Sequence, residues 1–278
     1  MSIPAPTPAQ DDLALLRSAA VHAGIIGLGF FRTDLKTWTK NISSPVTEAD
    51  IAIDTFLGQA LLGARPDYGW LSEEQMDTTD RLAHSRVFIV DPIDGTRGFI
   101  KGEDSWCVSL AVVEDGVPVA GVVYAPARDE MYAAALGMGA TLNGQPIKAA
   151  YRTDESRLIP GPAAVHNELQ GAGLTYKKGP MYPSLAYRLV QVARGKLDAA
   201  VARRGAQDWD IAGADIILTE AGADFVDVCA GRPRYNRADT RHGALATTAD
   251  PSLKDMLCDA LRTVYGCPEP TTPEQNER

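Results

Sequence analysis

In the run Asp91-Pro92-Ile93-Asp94-Gly95-Thr96, two carboxylates stand three residues apart, directly after the apolar segment Val87-Phe88-Ile89-Val90. That segment reads as a buried strand. Pro92 and Gly95 supply turn chemistry that lets both acids converge on one cation. Carboxylates and backbone carbonyls are hard oxygen donors, which suits Mg²⁺. The N–H groups of Gly95 and Thr96 are placed to cradle a phosphate oxygen if a helix starts there. An ordinary Asp-rich turn after a strand is the alternative for this run on its own.

Further acids extend the set. Glu73 and Glu74 follow the short strand expected at Tyr68–Leu71. Asp210, in Trp209-Asp210-Ile211-Ala212-Gly213-Ala214-Asp215, sits where a helix should begin, so it is a ligand candidate or a plain N-cap. Asp50 lies three residues after Thr47, the spacing of a capping box, so it also has a purely structural reading.

The elements that must position these acids are legible in outline. Helical spacing runs from Asp11 to Phe31 and again from Thr47 to Leu62. Strands are expected at Arg86–Val90, Trp106–Val113, Val117–Tyr124, Met131–Ala135 and Ala140–Leu142, with Asp115-Gly116 and Asn143-Gly144 as hairpin turns. Beyond residue 150 the pattern alternates: helix Ser184–Arg194, strand Asp198–Ala202, helix Ile211–Ala221, strand Asp224–Val228, strand Ala244–Thr247, helix Ser252–Val264. This gives an α+β subdomain over 11–150, carrying most of the acids, and an α/β subdomain over 151–266, carrying Asp210. Residues 1–10 and 267–278 are Pro-rich or polar and are expected to be disordered.

Composition narrows the function classes. The chain has 278 residues, 45% hydrophobic, a net charge of −9 and a pI near 5.0. No basic run is long enough for a nucleic acid polymer or a membrane surface, and bound cations would have to reverse the local sign before an anionic substrate could approach. The four cysteines form no C-x-x-C pair and the four histidines are scattered, so neither a zinc site nor a disulfide framework is expected, and a reduced cytoplasm fits. The N-terminus lacks signal-peptide features, and the apolar stretch Ala19–Phe31 is too short to span a bilayer, so it reads as a buried helix.

Four segments, in type and order, resemble the inositol monophosphatase superfamily: Lys40…Ser44-Pro45-Val46-Thr47-Glu48-Ala49-Asp50, Trp70-Leu71-Ser72-Glu73-Glu74, Asp91 to Thr96, and Trp209 to Asp215. The resemblance covers roughly residues 11 to 264. It implies a layered αβαβα sandwich and a Mg²⁺-dependent, lithium-sensitive phosphatase in which water attacks a small phosphorylated metabolite directly. Glu73, Asp91 and the Ile93 carbonyl would hold one Mg²⁺. Asp91, Asp94 and Asp210 would hold a second, and some members carry a third, weakly held ion near Glu73. Thr96, hydrogen-bonded to Asp50, would orient the attacking water, Gly95 and Thr96 would hold the phosphate, and Lys40 would lie close by. Members are commonly homodimers. Phosphoryl transfer needs positioning and charge neutralisation rather than a covalent nucleophile, which this residue set can supply.

The ester is less sharply indicated. Arg203 stands where the inositol branch has a glutamate, Pro183-Ser184-Leu185-Ala186 replaces its G-T-A-A stretch, and Arg188 falls where the bisphosphate nucleotidase branch has a lysine. Arg188 and Arg203 would suit a second anionic group, so a 3'(2'),5'-bisphosphate nucleotide is the expected substrate, with inositol 1-phosphate and histidinol phosphate as alternatives. A haloacid-dehalogenase-type phosphatase would need its two acids two residues apart, not three. A non-catalytic metal- or phosphate-binding protein would usually have lost one of the acids.

Overall fold

The structure, a computed structural model, describes residues 7–41 and 44–267, apart from the side chains of residues 40, 41 and 44. Helix α1 (Pro8–Phe30) starts from a capping box in which Thr7 and Gln10 bond each other's backbone N–H. A hairpin of β1 (Thr37–Asn41) and β2 (Ser44–Thr47) leads into α2 (Glu48–Ala64). Next come β3 (Gly69–Ser72), β4 (Arg86–Asp94) and the single turn α3 (Thr96–Ile100). The meander β5 (Cys107–Glu114), β6 (Val117–Ala125), β7 (Glu130–Ala135), β8 (Ala140–Leu142) and β9 (Gln145–Ile147) completes the sheet β3-β4-β5-β6-β7-β8-β9, in which only β3 and β4 pair in parallel.

The remainder of the chain runs β10 (Leu158–Ile159), α4 (Ala163–Gly171), β11 (Lys177–Lys178), α5 (Leu185–Ala193), β12 (Ala199–Ala202), α6 (Asp208–Glu220), β13 (Asp224–Asp227), β14 (Leu245–Thr248) and α7 (Pro251–Tyr265). Strands β12, β14 and β13 form a second, antiparallel sheet in that order.

Three apolar cores separate five layers. Leu16, Ala20 and Ala23 of α1 and Ile53 and Leu57 of α2 pack on one face of the large sheet, against Phe88, Val108 and Leu110. Its other face, with Ile89, Ala111 and Val123, packs on Leu189 of α5 and Ile216 and Ile217 of α6. Beyond them lies the small sheet, whose Ala199, Val201 and Ala246 pack on Val165 of α4 and Leu257 and Leu261 of α7. The result is the expected αβαβα sandwich. Its central core draws on residues from both sides of position 150.

Close approach fixes α6 on the sheet. A Cβ at Gly121 of β6 would come within 2.7 Å of the Gly213 carbonyl, so only glycine lets that strand lie so near the helix. Both two-residue turns appear as expected, with Asp115, Gly116, Asn143 and Gly144 all at positive φ.

Several expectations need correction. Residues 7–10 are not disordered: Thr7 caps α1 and Pro8–Gln10 form its first turn. Helix α1 is 23 residues, long and apolar enough by length and composition to cross a membrane, although its Leu16–Ala23 face is packed in the core. Strand β4 continues through Asp94 with a register irregularity between Asp91 and Asp94, so both acids lie within the strand rather than past its end. Helix α6 begins at Asp208 with Gln207 as its cap, which puts Asp210 in the first turn. Cys229 and Cys267 form a disulfide, contrary to the expectation of none, because the fold brings together cysteines 38 residues apart that no local spacing betrays. The bridge removes the support that cysteine usage lent to a reduced cytoplasm. It also places Cys267 in ordered structure rather than in a tail; residues 1–6 and 268–278 lie outside the described residues.

Candidate metal and phosphate site

Four elements deliver the acids. The irregular end of β4 supplies Asp91 and Asp94, the first turn of α6 supplies Asp210, the turn after β3 supplies Glu73, and the first turn of α2 supplies Asp50. One carboxylate oxygen from each of Asp91, Asp94 and Asp210 lies within 4.8 Å of the others. Glu73, Asp91, Ile93, Asp94, Gly95, Thr96, Arg203 and Asp210 all border one open cavity of about 270 Å³. The expected ligands therefore converge, although more than a hundred residues separate Asp94 from Asp210.

Each aspartate is held for a purpose. Asp94 Oδ2 accepts from the Ser184 hydroxyl at 2.5 Å and the Ala186 N–H at 2.6 Å, at the start of α5. Asp210 Oδ2 accepts from the Gln207 N–H at 2.7 Å. Asp91 Oδ1 is buried with no hydrogen-bond partner among the described residues. An orphaned buried carboxylate oxygen is costly unless a cation completes it. This donor set, all hard oxygen and clustered, fits a divalent cation such as Mg²⁺.

The electrostatics agree. Burial, then the charges of Glu73, Asp94 and Asp210, hold the Asp91 carboxyl well above its ordinary range. Burial raises Asp94 against the hydrogen bonds from Ser184, Ala186 and Leu185, which oppose the rise. Burial and the neighbouring Asp94 push Asp210 up to about 7. A group of acids that resist ionising together is what a bound cation would relieve.

Asp50 accepts through Oδ2 from the Thr47 N–H at 2.8 Å and the Thr47 hydroxyl at 2.6 Å, so the capping box forms as its spacing implies while Oδ1 is left toward Thr96. Burial pushes it up to about 6. The Thr96 hydroxyl donates to the Ile93 carbonyl at 3.0 Å and lies 3.5 Å from Asp50 Oδ1. Gly95, at φ 94°, lets the chain turn from β4 into α3; a Cβ there would also press on the Ser184 backbone at 3.0 Å.

A second, adjoining cavity of about 450 Å³ shares Asp94, Arg203 and Asp210 with the first. Arg203 is exposed at its rim, and no hydrogen bond or ion pair engages it among the described residues. Arg188 also lines this cavity, but its two Nη atoms donate to the carbonyls of Tyr182 at 3.2 Å and Val201 at 3.3 Å, and its Nε is buried with no partner among the described residues. It offers a fixed charge beneath the cavity rather than a free fork. Lys40 lies outside the residues whose side chains are described. Ser184 is the site group that residue types did not single out; its signal was its place as a Ser at a helix N-cap.

The sequence model of the inositol monophosphatase family matches residues 11–265. The chain belongs to the inositol monophosphatase family. Curated relatives include a histidinol-phosphatase of Mycobacterium tuberculosis (strain ATCC 25618 / H37Rv), 34% identical over 91% of this chain and 98% of its own. An inositol monophosphatase 3 of Solanum lycopersicum is 31% identical over 87% and 93%. A 3'(2'),5'-bisphosphate nucleotidase of Aggregatibacter actinomycetemcomitans is 28% identical over 83% and 88%. Among solved structures, an IMPase of Thermotoga maritima superposes with a TM-score of 0.78 at 25% identity, covering 91% of this chain and 98% of that one. The inositol monophosphatase of Anabaena (Nostoc) sp. PCC 7120 gives 0.73 at 25% identity, covering 92% and 97%. Like these relatives, this family member is a phosphomonoesterase acting on small phosphorylated substrates.

Proposed function

We propose that this inositol monophosphatase family member hydrolyses a phosphomonoester carrying a second anionic group, a 3'(2'),5'-bisphosphate nucleotide, with Mg²⁺ held by Glu73, Asp91, the Ile93 carbonyl, Asp94 and Asp210. The observation that carries the substrate reading is Arg203: an exposed guanidinium, unengaged among the described residues, that borders both the acid cluster and the adjoining cavity. Guanidinium matches phosphate oxygens in two-point geometry, and the half-buried Arg188 adds positive charge beneath the same cavity. A polyol would find no carboxylate lining that cavity except Asp94 and Asp210, which the metal requires.

Bound divalent cations would neutralise phosphate charge and acidify water. The chain does the rest. Gly95 and Thr96 N–H groups at the start of α3 hold phosphate oxygens. The Thr96 hydroxyl takes up the attacking water's proton as it passes its own to Asp50 Oδ1, 3.5 Å away. Asp50, raised to about 6, is basic enough to receive that proton near neutral pH. Asp94 and Asp210 keep their positions through Ser184, Ala186 and Gln207. The P–O bond to the leaving group breaks as the new P–O bond forms, the departing oxygen takes its proton from solvent water, and no side chain is phosphorylated.

A second reading, histidinol phosphate, is favoured by the 34% identity to the mycobacterial histidinol-phosphatase. Phosphate release across bisphosphate nucleotides, inositol phosphates and histidinol phosphate separates the two, with Arg203→Glu alongside. The bisphosphate reading expects the nucleotide to be preferred and Arg203→Glu to harm it selectively. Preference for histidinol phosphate, or equal loss on every ester, overturns it.

A further inference from the structure

The second cavity is bordered by a residue from the outermost layer. Tyr265, in the last turn of α7, lines it together with Pro162, Leu185 and Val201, while Asp94 and Asp210 belong to the same lining. Tyr265 is half-buried and packs on the core between the small sheet and helices α4 and α7. Arg204, next to Arg203, donates to its carbonyl at 3.4 Å. Two residues further on, Cys267 is bonded to Cys229 in the loop after β13, and both cysteines are exposed.

We propose that Tyr265 is a specificity-determining residue that takes the planar base carried by the substrate's leaving group, held at the cavity by the Cys229–Cys267 bridge as a positioning element. The proposal rests on the bisphosphate-nucleotide reading and names the group that would receive its base. Tyr265 brings an aromatic residue to a lining that also includes the apolar Pro162, Leu185 and Val201. A polyol placed there would leave hydroxyls unpaired, whereas a heterocycle loses little and gains stacking. Terminal helix turns fray unless tied down. Here the tie is a covalent one that a solvent-borne dithiol can reach: the dithiol gives two hydrogens to the cysteine sulfurs and closes into its own disulfide. Reduction would free the end of α7 without touching any carboxylate of the metal site.

The test compares KM and kcat for adenosine 3',5'-bisphosphate and for glycerol 2-phosphate in the full-length protein with Mg²⁺. Tyr265→Ala is expected to raise KM for the nucleotide about ten-fold, with a smaller change in kcat and a smaller loss on the glycerol ester. Tyr265→Phe should keep the wild-type selectivity. Cys267→Ser, and wild-type protein treated with dithiothreitol, should lose selectivity in the same direction, and the reagent should add nothing to Tyr265→Ala. Equal losses on both esters in Tyr265→Ala, or unchanged selectivity in Cys267→Ser, overturn the proposal. If the wild-type protein hydrolyses no bisphosphate nucleotide, the function reading fails by itself, and the same comparison on its preferred ester decides the role of Tyr265.

Discussion

The Ser184 hydroxyl donates to the Asp94 carboxylate at 2.5 Å, tying the first turn of α5 to the end of β4 across 90 residues of chain. The contact joins the two halves of the molecule at the acid cluster itself. Groups that orient a metal ligand are commonly worth 10- to 100-fold in metal affinity. Ser184→Ala should therefore raise the Mg²⁺ concentration for half-maximal activity by roughly ten-fold, measured by titrating activity and by calorimetry. Thr in place of Ser184 should restore it.

Asp91 illustrates a conflict between stability and function. It is buried, its Oδ1 has no partner among the described residues, and the charges of Glu73, Asp94 and Asp210 oppose its ionisation. Asp91→Asn should abolish Mg²⁺-dependent turnover and yet stabilise the metal-free protein at pH 8 by about 1 kcal/mol. Thermal unfolding in EDTA reads the second effect; a lower melting temperature would count against it.

The pH dependence follows from the direction of the shifts. Folded Asp210 and Asp50 are pushed up to about 7 and about 6, from an ordinary value of 3.8. Between those limits the folded, metal-free protein binds more protons than the unfolded chain, so these groups stabilise it fully below about pH 4 and lose that contribution as pH rises to about 7. Mg²⁺ requires Asp210, like Asp91 and Asp94, in its deprotonated form. Apparent Mg²⁺ affinity should accordingly weaken as pH falls from 8 to 5, with protons released on binding. Calorimetry in buffers of different ionisation enthalpy measures that release, and an affinity independent of pH would refute the assignment.

Asp54, one helical turn after Asp50 on α2, clasps the turn that carries Glu73. Its oxygens accept from Ser72 at 2.5 Å and from Gln75 at 2.7 Å, and the Ser72 hydroxyl in turn accepts from the Glu74 N–H at 3.2 Å. Asp54→Ala should loosen Glu73 and raise the Mg²⁺ requirement several-fold. Faster amide exchange at residues 72–75 would report the loosening directly.

Much of this was legible in residue types. The capping spacing of Thr47 and Asp50, the two glycine hairpins and the strand into Asp91 are local patterns, and local patterns survive in sequence. Other features are long-range and leave no such trace. The Ser184–Asp94 clasp, the Gly121–Gly213 approach and the Cys229–Cys267 bridge each depend on partners that only the fold brings together. The start of α6 at Asp208 rather than Ile211 is of the same kind: Asp208 is fixed by His242 at 2.7 Å and by the Asn236 N–H at 2.8 Å, both from beyond β13. Two-residue strands such as β10 and β11 carry too few residues for periodicity to declare them.

Hydrolysis depends on divalent cations held by acids from the turn after β3, from β4 and from α6. Phosphate release from adenosine 3',5'-bisphosphate, followed first in EDTA and then with Mg²⁺ restored in excess, tests this dependence most directly. Turnover should vanish in chelator and recover on adding Mg²⁺; undiminished release in EDTA would rule out metal dependence.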